Sequence, residues 1–377
     1  MAEPESPPGK FPKAFWYANL TELFERSAYY AVASWVVPYL GMLGLGAYWP
    51  SVLSSTVLWG LVYFMPILSG TIADQVGFKK ALLVAFVLLT LGYLAEGSPV
   101  WFGLGEMQEV VRDEVWASVP TVVMVVLGIL LIGLGGSVIK PCVSGTVQKT
   151  TGKRATLAFA LFYMTINIGS LLGRLVSWGT RTAFDLSYVW AVGAAFSVIA
   201  FFVVLVKYTD PDDLPGKAEK KPRKSVGRIL ADMVLVLKNP RFTLFLVATS
   251  GFWFLYNQVY NVMPLYWKRV LETNPSVDVY TMANPFVIVC FQLLISRMFG
   301  KLKPVVSIIV GNVVVGAAFI INVLPIFLAD SIRADFWDLV PIGSVVAASE
   351  EVAAAVAAAW ALHGGKAILP ARRNLRG

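Results

Sequence analysis

Three ionisable side chains, Glu22, Glu25 and Arg26, stand close together in an apolar run near the N-terminus, and Tyr29 and Tyr30 follow them. In a membrane helix a charged group costs roughly 2.5–3.5 kcal/mol at the centre, so such groups occur paired or watered, and by default they mark a pathway. On a helix Glu22 and Arg26, four apart, share a face, with Glu25 about one step round and the tyrosines a turn further. The competing reading is a structural ion pair that locks helices together, or a helix end lying at the membrane interface.

Two further stretches carry chemistry. Lys140-Pro141 follows the small-residue run Gly133–Gly136 and is expected to close the fourth apolar run. An ammonium at that depth needs a carboxylate, and Glu22 or Glu25 is the natural partner if the glycines let helices approach closely. Alternatively Lys140 snorkels to the interface. Between the second and third runs lies Gly70-Thr-Ile-Ala-Asp74-Gln-Val-Gly77-Phe-Lys79-Lys80. Gly77 permits a tight turn, Asp74 can accept from a neighbouring helix N-terminus, and Lys79 and Lys80 hold the loop inside. A generic hairpin loop is the alternative.

The elements that position these residues are apolar runs. The chain has 377 residues, 57% hydrophobic and only 14% charged. A water-soluble domain carries about 25% charged residues. Mean hydropathy is +0.69. Runs near 20 residues, the length that crosses about 30 Å of hydrocarbon, are read at 14–40, 51–73, 81–101, 118–140, 155–178, 186–207, 241–267, 280–300 and 304–328, with a tenth candidate at 340–362. Lys and Arg alternate between links, placing the N-terminus and every second link in the cytoplasm. The expected plan is all-α and multi-pass. It has a cytoplasmic tail (1–13), a six-span bundle (14–207), a cytoplasmic linker (208–240) with an amphipathic stretch near 225–238, and a partial second bundle (241–377).

That plan limits the chemistry. The formal charge of +8 sits in short links and not on a folded face, so no nucleic acid is expected as partner. Cys142 and Cys290 lie far apart and His363 is the lone histidine, so no metal site, disulfide framework or histidine relay is expected. No nucleophile elbow or phosphate-cradling loop points to an enzyme. The first span reads as its own anchor, with no cleavable leader. Glu350 and Glu351 in the tenth candidate are costly at mid-membrane, and the expectation is a second bundle cut short near there.

Glu22-x-x-Glu25-Arg26-x-x-Tyr29-Tyr30 resembles the first-span signature of the proton-dependent oligopeptide transporters, a branch of the major facilitator superfamily. The Gly70–Lys80 loop, Lys140 and Phe162-Tyr163-x-x-Ile166-Asn167-x-Gly169-Ser170 resemble other signatures of that group in order and spacing. Tyr63 falls where the family has a pocket tyrosine, and Asn284-Pro285 matches its eighth span. The resemblance implies a helical bundle of two rocking lobes that symports di- or tripeptides or related solutes with protons, in the cytoplasmic membrane. It implies no cofactor beyond the coupling proton. Protonation of Glu22 or Glu25 would weaken its hold on Arg26 or Lys140, and Tyr29, Tyr30, Tyr63, Asn167, Asn257 and Asn284 would hydrogen-bond the solute. Two positions depart from the pattern. Ala33 stands where the family has an arginine for the solute carboxylate, and Asn257 where it has an acid in the seventh span. A non-peptide solute and a non-transporting relic are the rival readings.

Overall fold

The computed structural model describes residues 11–108, 113–213, 226–266, 277–299 and 304–327, and the elements among them are helices. The first span does not run straight through 14–40. Helix α1 (Lys13–Val32) stops, and α2 (Val36–Leu40) resumes after a 46° bend. Pro38 supplies the cause. It cannot donate to the Ser34 carbonyl four residues earlier, and its ring crowds that carbonyl. The chain tightens instead, Ala33 N–H donating to the Tyr29 carbonyl at 2.9 Å and Trp35 N–H to that of Val32 at 2.8 Å.

Next come α3 (Trp49–Val76), α4 (Phe78–Trp101) and α5 (Val119–Thr151). Gly77, at φ 94°, turns the chain between α3 and α4, a conformation that favours glycine. Ser118 caps α5 by accepting from Thr121 N–H at 3.3 Å, and Pro120 sits in its first turn. The expectation that Lys140-Pro141 closes the fourth span fails, because α5 continues for ten residues past Pro141, to Thr151. Proline there leaves the Ser137 carbonyl without its helical donor. The Ser69 hydroxyl of α3 supplies one at 2.9 Å. Gly70 lies against the Pro141 ring, where a methyl group would stand 3.2 Å from Pro141 Cβ. In α4, Pro99 is tolerated by the same device, Ser98 donating to the Ala95 carbonyl at 2.8 Å. Ser69→Ala is therefore expected to cost about 1–2 kcal/mol, the price of one orphaned buried carbonyl. Thermal unfolding of the purified chain would read it, and an unchanged midpoint would contradict this account of the proline.

Helices α6 (Ala155–Ala183) and α7 (Tyr188–Lys207) complete the first group. Here α4 packs between α5 and α7, and α1 packs against α6 and α7. After the linker come α8 (Val226–Leu237), on the stretch expected to be amphipathic, then α9 (Pro240–Asn261), α10 (Val277–Phe299) and α11 (Pro304–Phe327). Asn239 caps α9 by accepting from Arg241 N–H and Phe242 N–H. Among the described residues five helices are long and apolar enough to cross a membrane, or six with the bent α1–α2 pair as one. The protein is multi-pass. The candidate span at 340–362 and the basic part of the linker lie outside the described residues.

The loop motif is built differently from its expectation. Asp74 is exposed and makes no hydrogen bond to a helix N-terminus among the described residues. The donor at the start of α4, Lys79 N–H, is met at 3.3 Å by Asp210, which follows α7. Asp210 also lies 3.0 Å from where a Gly77 Cβ would be. Lys149 pairs with Asp212 at 2.9 Å and lies over the Phe78 ring, while Tyr208 and Thr146 share a hydrogen bond. Lys80 is exposed at the same end. The reason is positional: Asp74 stands in the last turn of α3, whose own C-terminal carbonyls repel a carboxylate, so an acid from another helix does the capping.

Candidate functional site

The apolar surroundings of α1 bring its charged cluster inside. Glu22 is 0% exposed and Glu25 3%. Arg26 turns to its immediate neighbour, Nε–H donating to one Glu25 oxygen at 2.5 Å and Nη2–H to the other at 2.6 Å. The pair expected from helical spacing, Glu22 with Arg26, is looser at 3.6 Å. A long guanidinium can wrap round one helical step to take both oxygens of a single carboxylate, and a fork-to-fork contact outweighs a monodentate one. Neither Glu22 oxygen has a hydrogen-bond partner among the described residues.

Aromatic rings extend from this cluster. Arg26 lies 4.8 Å over the Tyr29 ring, Tyr29 meets Trp59 edge-on at 5.7 Å, and Trp59 stacks on Tyr63 at 5.5 Å. Tyr30 meets Tyr29 edge-on at 4.9 Å and lies under the guanidinium of Arg174. The structure thus brings Glu22, Glu25, Arg26, Tyr29, Tyr30 and Tyr63 together. Tyr163 of α6 lies within electrostatic reach of Glu22.

Lys140 needs a correction. No ion pair among the described residues includes it, and the residue is exposed. It is nevertheless within electrostatic reach of Glu22, Glu25 and Arg26. The glycines expected to draw α5 to α1 serve other neighbours. A methyl on Gly133 would stand 2.7 Å from Leu61 of α3, and one on Gly135 would stand 2.8 Å from the Ala85 carbonyl of α4. The closest approach to α1 belongs to α6. A methyl on Gly169 would lie 2.6 Å from the Leu23 carbonyl, and one on Gly173 would collide with that of Ser27.

The remaining predicted residues lie elsewhere. Asn167 spends its amide N–H on the Tyr163 carbonyl at 2.9 Å. Asn284 is 7% exposed in α10, which packs against α6. Asn257 belongs to α9, and its side chain lies outside the described residues. Gly70, Asp74, Gly77 and Lys80 belong to the α3–α4 end and not to the cluster.

Two buried ionisable groups escaped the sequence reading. Arg174 is 2% exposed, its Nε–H donating to Ser170 at 3.2 Å. Glu96 is 0% exposed with both oxygens unpartnered among the described residues, and it fills the space beside Gly128. Both stand toward the far ends of their expected spans, where a charge looks like an interfacial residue. The available signal was helical spacing, since Ser170, Gly173 and Arg174 fall on one face.

A small cleft of about 30 Å³ lies between α1, α3, α4 and α5, lined by Glu25 and Arg26 of α1 and by Trp190 of α7. Charged groups lining a cleft between membrane helices can exchange a proton and bind a polar group in one place.

A family model for the Major Facilitator Superfamily matches residues 15–362. Peptide transporter family 1 of Drosophila melanogaster is 32% identical over 213 residues, covering 52% of this chain and 27% of that protein. Dipeptide and tripeptide permease A of Enterobacter sp. (strain 638) is 27% identical over 257 residues, covering 66% of this chain and 45% of that protein. The chain thus spans less than half the length of either relative. The crystal structure of a peptide transporter POT in complex with sulfate superposes with a TM-score of 0.66 at 18% identity, covering 96% of this chain and 90% of that one. A POT family transporter in complex with 5-aminolevulinic acid gives 0.61 at 17% identity, covering 96% and 89%. At such identities the superpositions establish the fold, the all-α bundle of these transporters. The chain belongs to the Major Facilitator Superfamily, and its relatives within it are peptide transporters.

Proposed function

We propose that the chain is a secondary active transporter that carries small peptides or related solutes together with protons by alternating access. The single observation behind this is the buried cluster of α1: two carboxylates share one guanidinium, leaving one negative charge unbalanced at membrane depth. A proton or the Lys140 ammonium can balance it, so the two compete. Glu25 is clamped by Arg26, whereas the Glu22 oxygens lack donors among the described residues, so the proton falls on Glu22. Loading that proton loosens Arg26, and a polar solute can then engage that cation. Proton and solute then bias the same two-state bundle.

The relatives' names supply the solute class, di- and tripeptides. Tyr29, Tyr30 and Tyr63 would bond peptide backbone, with Asn167, Asn257 and Asn284 from the other helices. The Lys- and Arg-rich links argue for a cytoplasmic N-terminus in the cell membrane, with the bundle of 14–207 and that of 241–377 joined by the linker of 208–240. A second reading, a non-peptide solute, is favoured by Ala33 and Asn257, which remove two charges a peptide's termini would use.

Uptake of labelled dialanine into proteoliposomes under an inward proton gradient tests the reading. Gradient-dependent uptake, competed by excess tripeptide, is expected. Uptake indifferent to the gradient would sink the coupling. Gradient-driven uptake that peptides fail to compete would favour the second reading.

A further inference from the structure

The transport reading leaves Glu96 unused. It stands toward the Trp101 end of α4, three residues past Tyr93, and is 0% exposed. A glycine makes its place, since a methyl on Gly128 of α5 would stand 2.6 Å from Glu96 Oε1. Neither carboxyl oxygen has a hydrogen-bond partner among the described residues, and the Ile129 backbone N–H lies beside them without completing a bond. The Tyr39 hydroxyl of α2 donates to the Glu96 backbone carbonyl at 2.8 Å and not to the carboxyl. The titratable groups around this end are Tyr39, Tyr93 of α4, Tyr188 of α7 and Asp185 just before it, and residues 119–132 of α5 contain none. Asp185 acts on Tyr39, and Glu25 and Arg26 act on Tyr93, yet none of these three charges reaches Glu96. An ionised carboxyl there would have no water, donor or cation, and burying it costs far more than burying the neutral acid.

We propose that Glu96 is a second proton-binding site of the bundle, and that its proton locks α4 against α5. The carboxyl holds the proton while the helices are packed. It sheds the proton when they part and water enters, as a hydrated glutamic acid does above about pH 4.3. The sign follows: acid favours the packed bundle, and base favours parting it. Tyr93 and Ile129, its neighbours on α4 and α5, line the cleft, so the lock holds one of the cleft's walls. This goes beyond the transport reading and needs neither Glu22 nor a solute.

Infrared spectra of the full chain in lipid nanodiscs, without solute, test the proton. In Glu22→Gln at alkaline pH a protonated-carboxyl band is expected to persist, and adding Glu96→Gln is expected to remove it. Denaturant unfolding of the full chain in detergent at several pH values tests the lock. Between about pH 5 and 8 the unfolding constant of the wild type is expected to rise about 10-fold more per pH unit than that of Glu96→Gln, because one more proton leaves on opening. A side chain that only fills space would leave the two slopes equal. Should Glu96→Gln fail to fold, Glu96→Met, neutral and of similar length, takes its place. A band that is missing, a band that survives Glu96→Gln, or equal slopes would overturn the assignment. Dialanine uptake, run in parallel, keeps the two claims apart. Unequal slopes without uptake support the lock and sink transport, and uptake with equal slopes overturns the lock alone.

Discussion

Replacing Glu22 by Gln is expected to lower gradient-driven uptake on the order of 100-fold, about 2.7 kcal/mol, while exchange of labelled for unlabelled peptide continues. The amide keeps the shape of the side chain, whose oxygens make no hydrogen bond that could be lost among the described residues. It removes the unbalanced negative charge beside Arg26 at 3.6 Å. Exchange requires only rocking of a loaded bundle, whereas net uptake requires the proton site to fill and empty. Glu25→Gln should behave differently. It breaks the two short contacts to Arg26 and leaves a buried guanidinium with one distant acid, a fault that costs about 3–5 kcal/mol. Loss of both uptake and exchange, with a lowered unfolding temperature, is its expected signature. Indistinguishable behaviour of the two variants would contradict the division of labour between the carboxylates.

A large effect on stability is also expected at Gly173. Its backbone lies against that of Ser27, so an added methyl meets a carbonyl and neither side can yield without separating α1 from α6. Gly173→Ala should cost about 3 kcal/mol, the upper range for overpacking. Gly169→Ala, where the methyl would stand 2.6 Å from the Leu23 carbonyl, should come next. Gly179, in the same helix with nothing within 4 Å, gives the opposite sign. There Gly179→Ala should stabilise by about 0.5–1 kcal/mol through helix propensity. Unfolding in detergent with a graded denaturant reads all three. A Gly173→Ala chain as stable as Gly179→Ala would refute the close α1–α6 contact that buries the charged cluster.

Much of this site was legible because it breaks the composition of its surroundings. Glu22, Glu25 and Arg26 interrupt an apolar run, and no pattern of packing requires them. The partners were harder to read. Spacing pointed to Glu22 with Arg26, but a flexible guanidinium chose its neighbour Glu25 for two bonds over one. Lys140 was placed at the end of its helix because proline usually ends one. The Ser69 hydroxyl, distant in sequence, repairs the gap and carries α5 onward. Asp74 was expected to accept from a neighbouring helix N-terminus, while the acid that meets the first turn of α4 is Asp210, in a link that reads as part of a loop. Gly169 sat in a stretch noticed for its resemblance and Gly173 just beyond it, yet their work, letting two backbones touch, follows only from knowing which helix lies opposite. The 46° bend after α1 could have been read from Pro38, whose effect falls four residues upstream of itself.

The central claim is that the carboxyl group of Glu22 takes up and gives up the coupling proton inside the bundle. Infrared difference spectra of the chain in lipid, recorded between alkaline and acidic buffer, test it most directly. A protonated-carboxyl band should appear on acidification in wild type, vanish in Glu22→Gln and grow when dialanine is added. The same band persisting unchanged in Glu22→Gln would place the proton elsewhere and contradict the account.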